Sequence, residues 1–267
     1  MSSGNNNPIG VFDSGIGGLS VANAISGLLP NESLIYFADT GRVPYGPRSR
    51  KEITDFSAEI TQFLLDHQCK MIVVACNTAT AAGLESLRKQ WPEIPFIGME
   101  PAVKPAAEAT RSGKVGVLAT LSTIRSERYA ELMRRYAANV QVFENPCIGL
   151  VPLIEAGKLN HPDTIEQLKE ILIPMLQEDV DTIVLGCTHY PFLLPFPKDI
   201  VPSDCKIIDP APAVARQVAR RLGNLALVAS SAHQAEYHFY RSGAVADLSL
   251  FTKLPWQIHP VMEMLKG

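Results

Sequence analysis

Residues 72–78 read Ile72-Val73-Val74-Ala75-Cys76-Asn77-Thr78, and residues 183–188 read Ile183-Val184-Leu185-Gly186-Cys187-Thr188. In both segments a short apolar run predicts a buried β-strand, and a cysteine with polar neighbours follows its end. Residues 9–14 and 115–120 form a second matching pair. The two spacings are 187 − 76 = 111 and 116 − 10 = 106 residues. This recurrence at nearly one spacing indicates an old duplication that gave two similar domains.

Strand-like and helix-like segments alternate along the chain. Apolar strand-like runs lie at residues 9–12, 33–37, 71–75, 95–98, 114–118, 140–143, 182–185 and 206–208. Helical patterns lie at residues 19–29, 52–67, 78–90, 122–136, 163–176 and 211–222, and residues 234–248 are more β-like. The alternation predicts an α/β fold with two pseudo-symmetric domains, each a mainly parallel sheet flanked by helices.

We expect residues 1–97 together with 208–267 to form the first domain and residues 98–207 to form the second. In α/β sheets, ligands bind at the carboxyl ends of the strands. The sequence therefore predicts an active site in the cleft between the two domains.

Composition argues against several functional classes. The 267 residues carry a net charge of -3 with scattered Lys and Arg, so no basic surface is expected to bind nucleic acid. The first seven residues lack the basic start and apolar run of a secretory signal. No apolar stretch approaches the roughly 18 residues of a membrane span. We expect a cytoplasmic protein that does not contact membranes.

The five cysteines are Cys69, Cys76, Cys147, Cys187 and Cys205. Their odd number, their wide spacing and the lack of a CxxC pair predict unpaired thiols rather than disulfides or a structural zinc site. A metal-binding or redox protein that uses Cys76, Cys187 and His189 remains an alternative, although Cys-x-His is not a usual zinc spacing.

Cys76 and Cys187 are each predicted to follow a strand and precede a helix. A thiol at a helix N-terminus has its thiolate favoured by the helix dipole and by unpaired amides, and it can then both take and give a proton. Inverting a carbon that bears hydrogen needs a base on one face and an acid on the other. Two matched thiols from opposing domains suit that reaction.

Polar residues cluster at the same predicted strand ends. They are Asp13, Ser14 and Gly15, Asn77 and Thr78, Thr120 and Thr123, and Thr188 and His189. Hydroxyls and amides at helix starts suit carboxylates, although helix capping alone also explains these residue types. Asp13 and His189 are each placed to tune one thiol. The run Gly15-Ile16-Gly17-Gly18 lacks the third glycine of a dinucleotide fingerprint and the lysine of a P-loop, so a tight turn is expected.

Four motifs occur in order along the chain. They are Gly10-Val11-Phe12-Asp13-Ser14-Gly15-Ile16-Gly17-Gly18-Leu19, Val43-Pro44-Tyr45-Gly46, Ala75-Cys76-Asn77-Thr78-Ala79 and Leu185-Gly186-Cys187-Thr188-His189-Tyr190-Pro191. Together with residues 98–102 and 151–157, these motifs resemble the glutamate racemases of the aspartate/glutamate racemase family, from about residue 8 to about residue 220. The resemblance implies interconversion of L- and D-glutamate without pyridoxal phosphate, another cofactor or metal, supplying D-glutamate for peptidoglycan.

The resemblance also implies roles for individual residues. Cys76 and Cys187 become the two proton donor/acceptors, assisted by Asp13 and His189. The implied substrate contacts are Asp13, Ser14, Tyr45, Gly46, Asn77, Thr78, Thr120, Thr188 and His189. Glu155 matches a position near the family's site with no role assigned. Pro210 stands after Asp209 where the family pattern has a small polar residue, which leaves the role of Asp209 open.

Two further alternatives stay open beside the metal-binding or redox protein, and a homo-oligomer is expected. One alternative is an aspartate racemase or a related amino-acid racemase with the same mechanism, and the other is a non-catalytic amino-acid-binding protein. A homodimer is expected for an enzyme of this kind.

Overall fold

The computed structural model describes residues 4–195, 200–243 and 261–262. The chain divides into two compact units. Unit 1 comprises Met1–Met99 and Ala211–Gly267, and unit 2 comprises Glu100–Pro210. Each unit contains its own sheet.

Unit 1 has a sheet in which all recorded strand pairs are parallel. Its described elements are β1 (Ile9–Asp13), α1 (Leu19–Leu28), β2 (Leu34–Ala38), α2 (Arg50–Asp66), β3 (Met71–Val74), α3 (Asn77–Gln90), β4 (Phe96–Gly98), α9 (Ala211–Asn224), β9 (Tyr237–Arg241) and β10 (Val261–Met262). The strand order is β10-β9-β2-β1-β3-β4. The strands β1 and β3 are wholly buried, as their near-continuous apolar sequences predict.

Unit 2 has a shorter parallel sheet. Its described elements are α4 (Val103–Ala109), β5 (Lys114–Ala119), α5 (Leu121–Ile124), α6 (Glu127–Tyr136), β6 (Gln141–Asn145), α7 (Leu150–Glu155), α8 (Pro162–Gln177), β7 (Thr182–Gly186), a 3₁₀ turn at Tyr190–Leu193 and β8 (Lys206–Ile208). The strand order is β6-β5-β7-β8. Two parallel sheets flanked by helices confirm the predicted α/β class.

The two sheets share one strand order. Strands β2-β1-β3-β4 of unit 1 correspond in sequence order to β6-β5-β7-β8 of unit 2. The register agrees as well, because Gly10 pairs with Ile72 and Gly116 pairs with Ile183. These are the residues that the sequence repeat aligns, so the repeat in sequence is also a repeat in topology.

The paired glycines occupy tight positions. A Cβ on Gly10 would lie 2.9 Å from the Ile72 side chain and 3.0 Å from Leu64 on α2, and a Cβ on Gly116 would lie 3.0 Å from Met175 on α8. The first distance is shorter than real Cβ contacts, and the other two are tighter than nearly all of them, so each neighbour would have to shift. Glycine at this position therefore lets a helix pack close to each sheet.

Several elements differ from the prediction. The expected helix over residues 122–136 is two helices, because Ser126 accepts a hydrogen bond from the Tyr129 N–H and starts α6 afresh. Helices α4 and α7 were not predicted. Of the β-like residues 234–248, residues 237–241 form β9, and residues 244–248 lie outside the described part of the chain. Among the described helices, none has the length and apolarity that a bilayer crossing requires.

Candidate active site

Cys76 lies just beyond the end of β3 and is the N-cap residue of α3. Its sulfur accepts a hydrogen bond from the Ala79 N–H at 3.4 Å, and its thiol lies 3.8 Å from the Ser14 Oγ. The side chain is almost fully buried, with 5% exposure. The predicted position of this thiol at a helix N-terminus is what the structure shows, and the amides there favour a negatively charged sulfur.

The end of β1 lies beside the end of β3 in the same sheet. Asp13 is the last residue of β1, is fully buried, and accepts a hydrogen bond from the Gly15 N–H at 3.1 Å. Ser14 follows it. Residues 13 and 14 therefore occupy the turn next to Cys76, where the sequence pattern had placed them.

Asn77 follows Cys76 and is buried. Neither its amide oxygen nor its amide nitrogen has a hydrogen-bond partner within the part of the chain that the structure describes. Buried polar atoms are nearly always paired, so an orphaned amide of this kind points to a bound ligand. An amide that offers both a donor and an acceptor suits the ammonium and carboxylate groups of an amino acid.

Residues 39–46 form a loop after β2 that carries Tyr45 and Gly46; it is called the Tyr45 loop below. The Tyr45 hydroxyl donates a short hydrogen bond to the buried carboxylate of Asp39. Burial, and next the negative charge of Asp39, raise the pKa of Tyr45, so the phenol keeps its proton. The Tyr45 hydroxyl is therefore occupied by Asp39 rather than available to a ligand.

Cys187 is positioned differently from Cys76. It follows β7 directly, but a short turn and the four-residue 3₁₀ turn at Tyr190–Leu193 come next. The helix predicted after Cys187 is only this 3₁₀ turn, and its N-cap residue is His189 rather than Cys187. Instead, His189 Nδ1 lies 3.7 Å from the Cys187 sulfur.

His189 connects Cys187 to a carboxylate. Its Nε2 lies 2.5 Å from Oε1 of Glu155, at the C-terminal end of α7. Burial opposes a charged imidazole, but the hydrogen bonds to Cys187 and Glu155 outweigh it and raise the pKa of His189 well above its usual value. The protonated ring donates through one nitrogen to the sulfur and through the other to the carboxylate.

Glu155 was noticed in the sequence only through the family resemblance and had no role there. The structure places it as the partner of His189, 34 residues earlier in the chain. Nothing in the local sequence joins the two positions, since the contact depends on how α7 packs in unit 2.

Tyr190 and Cys147 form a second group behind Cys187 that the sequence reading missed. Burial raises the pKa of the Cys147 thiol to about 12, so it stays protonated. Burial, followed by the thiols of Cys187 and Cys147, raises the pKa of Tyr190. The motif around Tyr190 gave the one available signal, namely a large polar aromatic side chain three residues after a candidate base.

The threonines of the predicted site have separate environments. Thr78, which follows Asn77 in the sequence, and Thr188, which follows Cys187, are both buried. Thr120 is the N-cap of α5, where its hydroxyl accepts a hydrogen bond from the Thr123 N–H at 3.3 Å. Capping, the simpler explanation for Thr120, is therefore observed, while ligand contact by Thr120 stays a prediction.

Among the residues that the structure describes, neither disulfides nor metal clusters occur at these strand ends. Across residues 4–195, 200–243 and 261–262, no group of three His, Cys, Asp or Glu side chains is arranged to hold a metal ion. All five cysteines, which lie in those ranges, are outside disulfides.

Comparison with known proteins places the chain in a family. A family model described as Asp/Glu/Hydantoin racemase matches residues 19–218. The glutamate racemase of Ectopseudomonas mendocina (strain ymp) is 52% identical over 238 residues, which cover 89% of this chain and 90% of the relative. This chain belongs to the Asp/Glu/hydantoin racemase family, within its glutamate racemase branch. The predicted family is thus confirmed, and the racemase is an isomerase.

Two solved glutamate racemases share the fold of this racemase. One, from Francisella tularensis subsp. tularensis SCHU S4 in complex with D-glutamate, has a TM-score of 0.80 at 34% identity and 97% coverage of both chains. The other, from Escherichia coli in complex with L-glutamate and the activator UDP-MurNAc-ala, has a TM-score of 0.81 at 34% identity, covering 91% of this chain and 92% of its own.

Proposed function

We propose that this racemase interconverts L- and D-glutamate by direct proton transfer at the α-carbon, with Cys76 and Cys187 as its two acid/base groups. The observation that carries the proposal is their matched placement. Each thiol follows the corresponding strand of a repeated β2-β1-β3-β4 order, β3 in one unit and β7 in the other. Inverting the α-carbon requires one acid/base group on each of its faces, and a repeated strand end that carries a cysteine supplies two of them.

The proposed reaction has two balanced steps. One cysteine, as thiolate, takes the α-proton and becomes a thiol, which leaves the electron pair on the α-carbon and the adjacent carboxylate. The other cysteine, as thiol, then gives its proton to the opposite face and becomes a thiolate. These two steps need no external acid, base or cofactor. In the reverse reaction the two cysteines exchange the roles of base and acid.

Substrate binding is assigned to the polar groups around each thiol. The orphaned amide of Asn77 and the backbone N–H groups of Tyr45 and Gly46 are suited to the charged groups of glutamate. Asp13, Ser14, Thr78, Thr120, Thr188 and His189 complete the proposed set. Related racemases bind D-glutamate in one structure and L-glutamate in another, which supports glutamate as the substrate here.

The test follows L-glutamate in heavy water without added cofactor. We expect optical rotation to decay to zero while deuterium enters at the α-carbon, with aspartate and a hydantoin as comparison substrates. Cys76→Ala and Cys187→Ala should each abolish racemisation, whereas Cys205→Ala, a partly exposed cysteine held near Val180, should not. Near-normal turnover in either of the first two variants would rule out the two-thiol mechanism.

The proposal extends to the cell. D-glutamate made in the cytoplasm would supply peptidoglycan synthesis, and a homodimer is the proposed assembly, both on the strength of the family resemblance. Depletion of the protein should make growth dependent on added D-glutamate, and light scattering of the purified chain should give twice its 29.1 kDa mass.

A further inference from the structure

Asp39 is the centre of a buried cluster at the start of the Tyr45 loop. Its carboxylate is fully buried and accepts hydrogen bonds from the hydroxyl of Tyr45, the Nε of Arg42 at 2.7 Å and the hydroxyl of Ser242 at 2.5 Å. A buried carboxylate is tolerated only when its oxygens are satisfied by such donors. Removing one donor therefore disturbs the arrangement of the others.

Arg42 connects this cluster to helix α2. Its guanidinium binds Glu59 on α2 at 2.5 Å and lies over the ring of Phe56, 4.2 Å from the ring centroid. The Phe56 ring also packs against Tyr45, with centroids 5.8 Å apart. The side of the Tyr45 loop that faces α2 is thus fixed by charge and by aromatic packing.

Ser242 fixes the other side of the loop from the end of β9. Its hydroxyl donates to Asp39 and accepts from the Gly41 N–H at 3.0 Å, while its carbonyl accepts from the Thr40 hydroxyl at 2.6 Å. Its N–H donates to the Ala38 carbonyl at 3.1 Å. One residue, some 200 positions later in the sequence, therefore makes four hydrogen bonds to residues 38–41.

Gly41 lies against the same segment. A Cβ on Gly41 would come within 3.1 Å of the Gly243 N and of the Ser242 hydroxyl. The backbone of residues 242–243 thus approaches the loop more closely than side chains would allow. This close contact and the hydrogen bonds together hold residues 242–243 against the start of the Tyr45 loop.

We infer that Ser242 is a positioning residue for substrate binding, acting through Asp39 to hold the Tyr45 loop in place. The inference rests on the proposed function, since it takes the amides of Tyr45 and Gly46 as substrate contacts. Ser242 contacts neither reacting thiol in the structure. Its loss should therefore weaken substrate binding and leave the proton-transfer step largely intact.

The test is a double-mutant cycle with Ser242→Ala and Tyr45→Phe, each of which removes one hydroxyl from Asp39. Steady-state kinetics with L- and with D-glutamate give KM and kcat for the four proteins. Ser242→Ala should raise KM about three- to tenfold, which is the range expected for the net loss of one hydrogen bond, and change kcat less than twofold. In the Tyr45→Phe background the same substitution should have a clearly smaller effect, because residues in one network are not additive.

Ser231→Ala is the matched control, since it removes an exposed serine hydroxyl from the segment between α9 and β9 and should leave KM and kcat unchanged. If Ser242→Ala fails to fold, Arg42→Lys, which keeps the charge and loses the Nε donor, enters the cycle in its place. A KM effect that is equal in both backgrounds, or no KM effect at all, overturns the inference. If the unmodified protein did not racemise glutamate at all, that result would instead contradict the proposed function.

Discussion

The two candidate thiols follow equivalent strands of the two sheets but have different polar neighbours. Cys76 caps a 14-residue helix and has the hydroxyl of Ser14 as its neighbour. Cys187 is followed by a 3₁₀ turn and has the imidazole of His189, itself bound to Glu155. The sheets therefore set where each thiol lies, while the segments after the strands set its electrostatic surroundings.

This difference shows two ways to stabilise one kind of anion. The helix N-terminus offers fixed amides, which do not titrate, whereas the His189 imidazolium carries a charge that depends on pH. An enzyme that acts on mirror-image substrates does not need mirror-image halves. It needs two groups that are each able to hold and release a proton.

The largest effect is expected from removing one thiol at a time. With Cys76→Ala or Cys187→Ala the proton can be taken and returned on one face only, so racemisation should fall by at least about 10²- to 10⁴-fold. Each variant should still exchange the α-hydrogen of one enantiomer with heavy water, and the two variants should choose opposite enantiomers. NMR of each enantiomer measures this exchange. The same enantiomer in both variants would contradict the assignment of the thiols to opposite faces.

A smaller effect is expected from substituting His189 or Glu155, the residues next to Cys187. His189→Asn or Glu155→Gln should lower kcat about 10- to 100-fold, as for a lost hydrogen bond to a charged group, and unequally for L- and D-glutamate. The ratio of kcat/KM in the two directions must stay at one, because the enantiomers have equal free energy. Ser14→Ala serves as the comparison on the other side, and an identical pattern there would remove the distinction between the two thiols.

The raised pKa of His189 predicts that the stability of the protein depends on pH. The pKa of His189 is raised on folding, so its contribution to stability is complete below the unfolded value, about 6.5, and is lost as pH rises through the higher folded value. Glu155→Gln removes a cause of that rise, so the difference in unfolding free energy between wild type and variant should shrink toward alkaline pH. Urea unfolding from pH 5 to pH 9 measures it. A difference that grows with pH would reverse the sign.

The smallest effect concerns the helix cap. Cys76→Ser keeps an N-cap acceptor for the Ala79 N–H and Cys76→Ala does not, so the alanine variant should be less stable by about 0.5–1.5 kcal/mol. The corresponding pair at Cys187, which caps no α-helix in the described residues, should differ less. Chemical unfolding of the four variants is the measurement, and equal differences at both positions would show that the cap contributes nothing.

The sequence predicted the elements whose signals are local. Apolar runs predicted β1 to β8, whereas β9 was placed only within a broad β-like stretch and β10 was not predicted. The repeat of residues 72–78 at 183–188 located both thiols. Cys187 does not cap a helix as Cys76 does, because the two sequences diverge after the cysteine and only a 3₁₀ turn at Tyr190–Leu193 follows. The six-residue α7 was missed because a short helix with a proline shows little periodicity.

Contacts between distant segments could not be predicted in this way. The pairing of His189 with Glu155 and the hydrogen bond from Ser242 to Asp39 join positions 34 and 203 residues apart. Nothing in the sequence around His189 points to Glu155, and nothing around Asp39 points to Ser242. Such contacts follow from how finished elements pack, which is why the polar environment of each thiol emerged only with the structure.

The shared strand order of the two units has an evolutionary consequence. Under the proposed two-thiol mechanism, a half-length ancestor with a single strand-end cysteine would have needed a second copy of itself to present two thiols, so its activity would have fallen on dilution. Joining both copies in one polypeptide removes that concentration dependence. It also releases each copy from self-complementarity, so that one could acquire an imidazole and a carboxylate while the other kept a helix start.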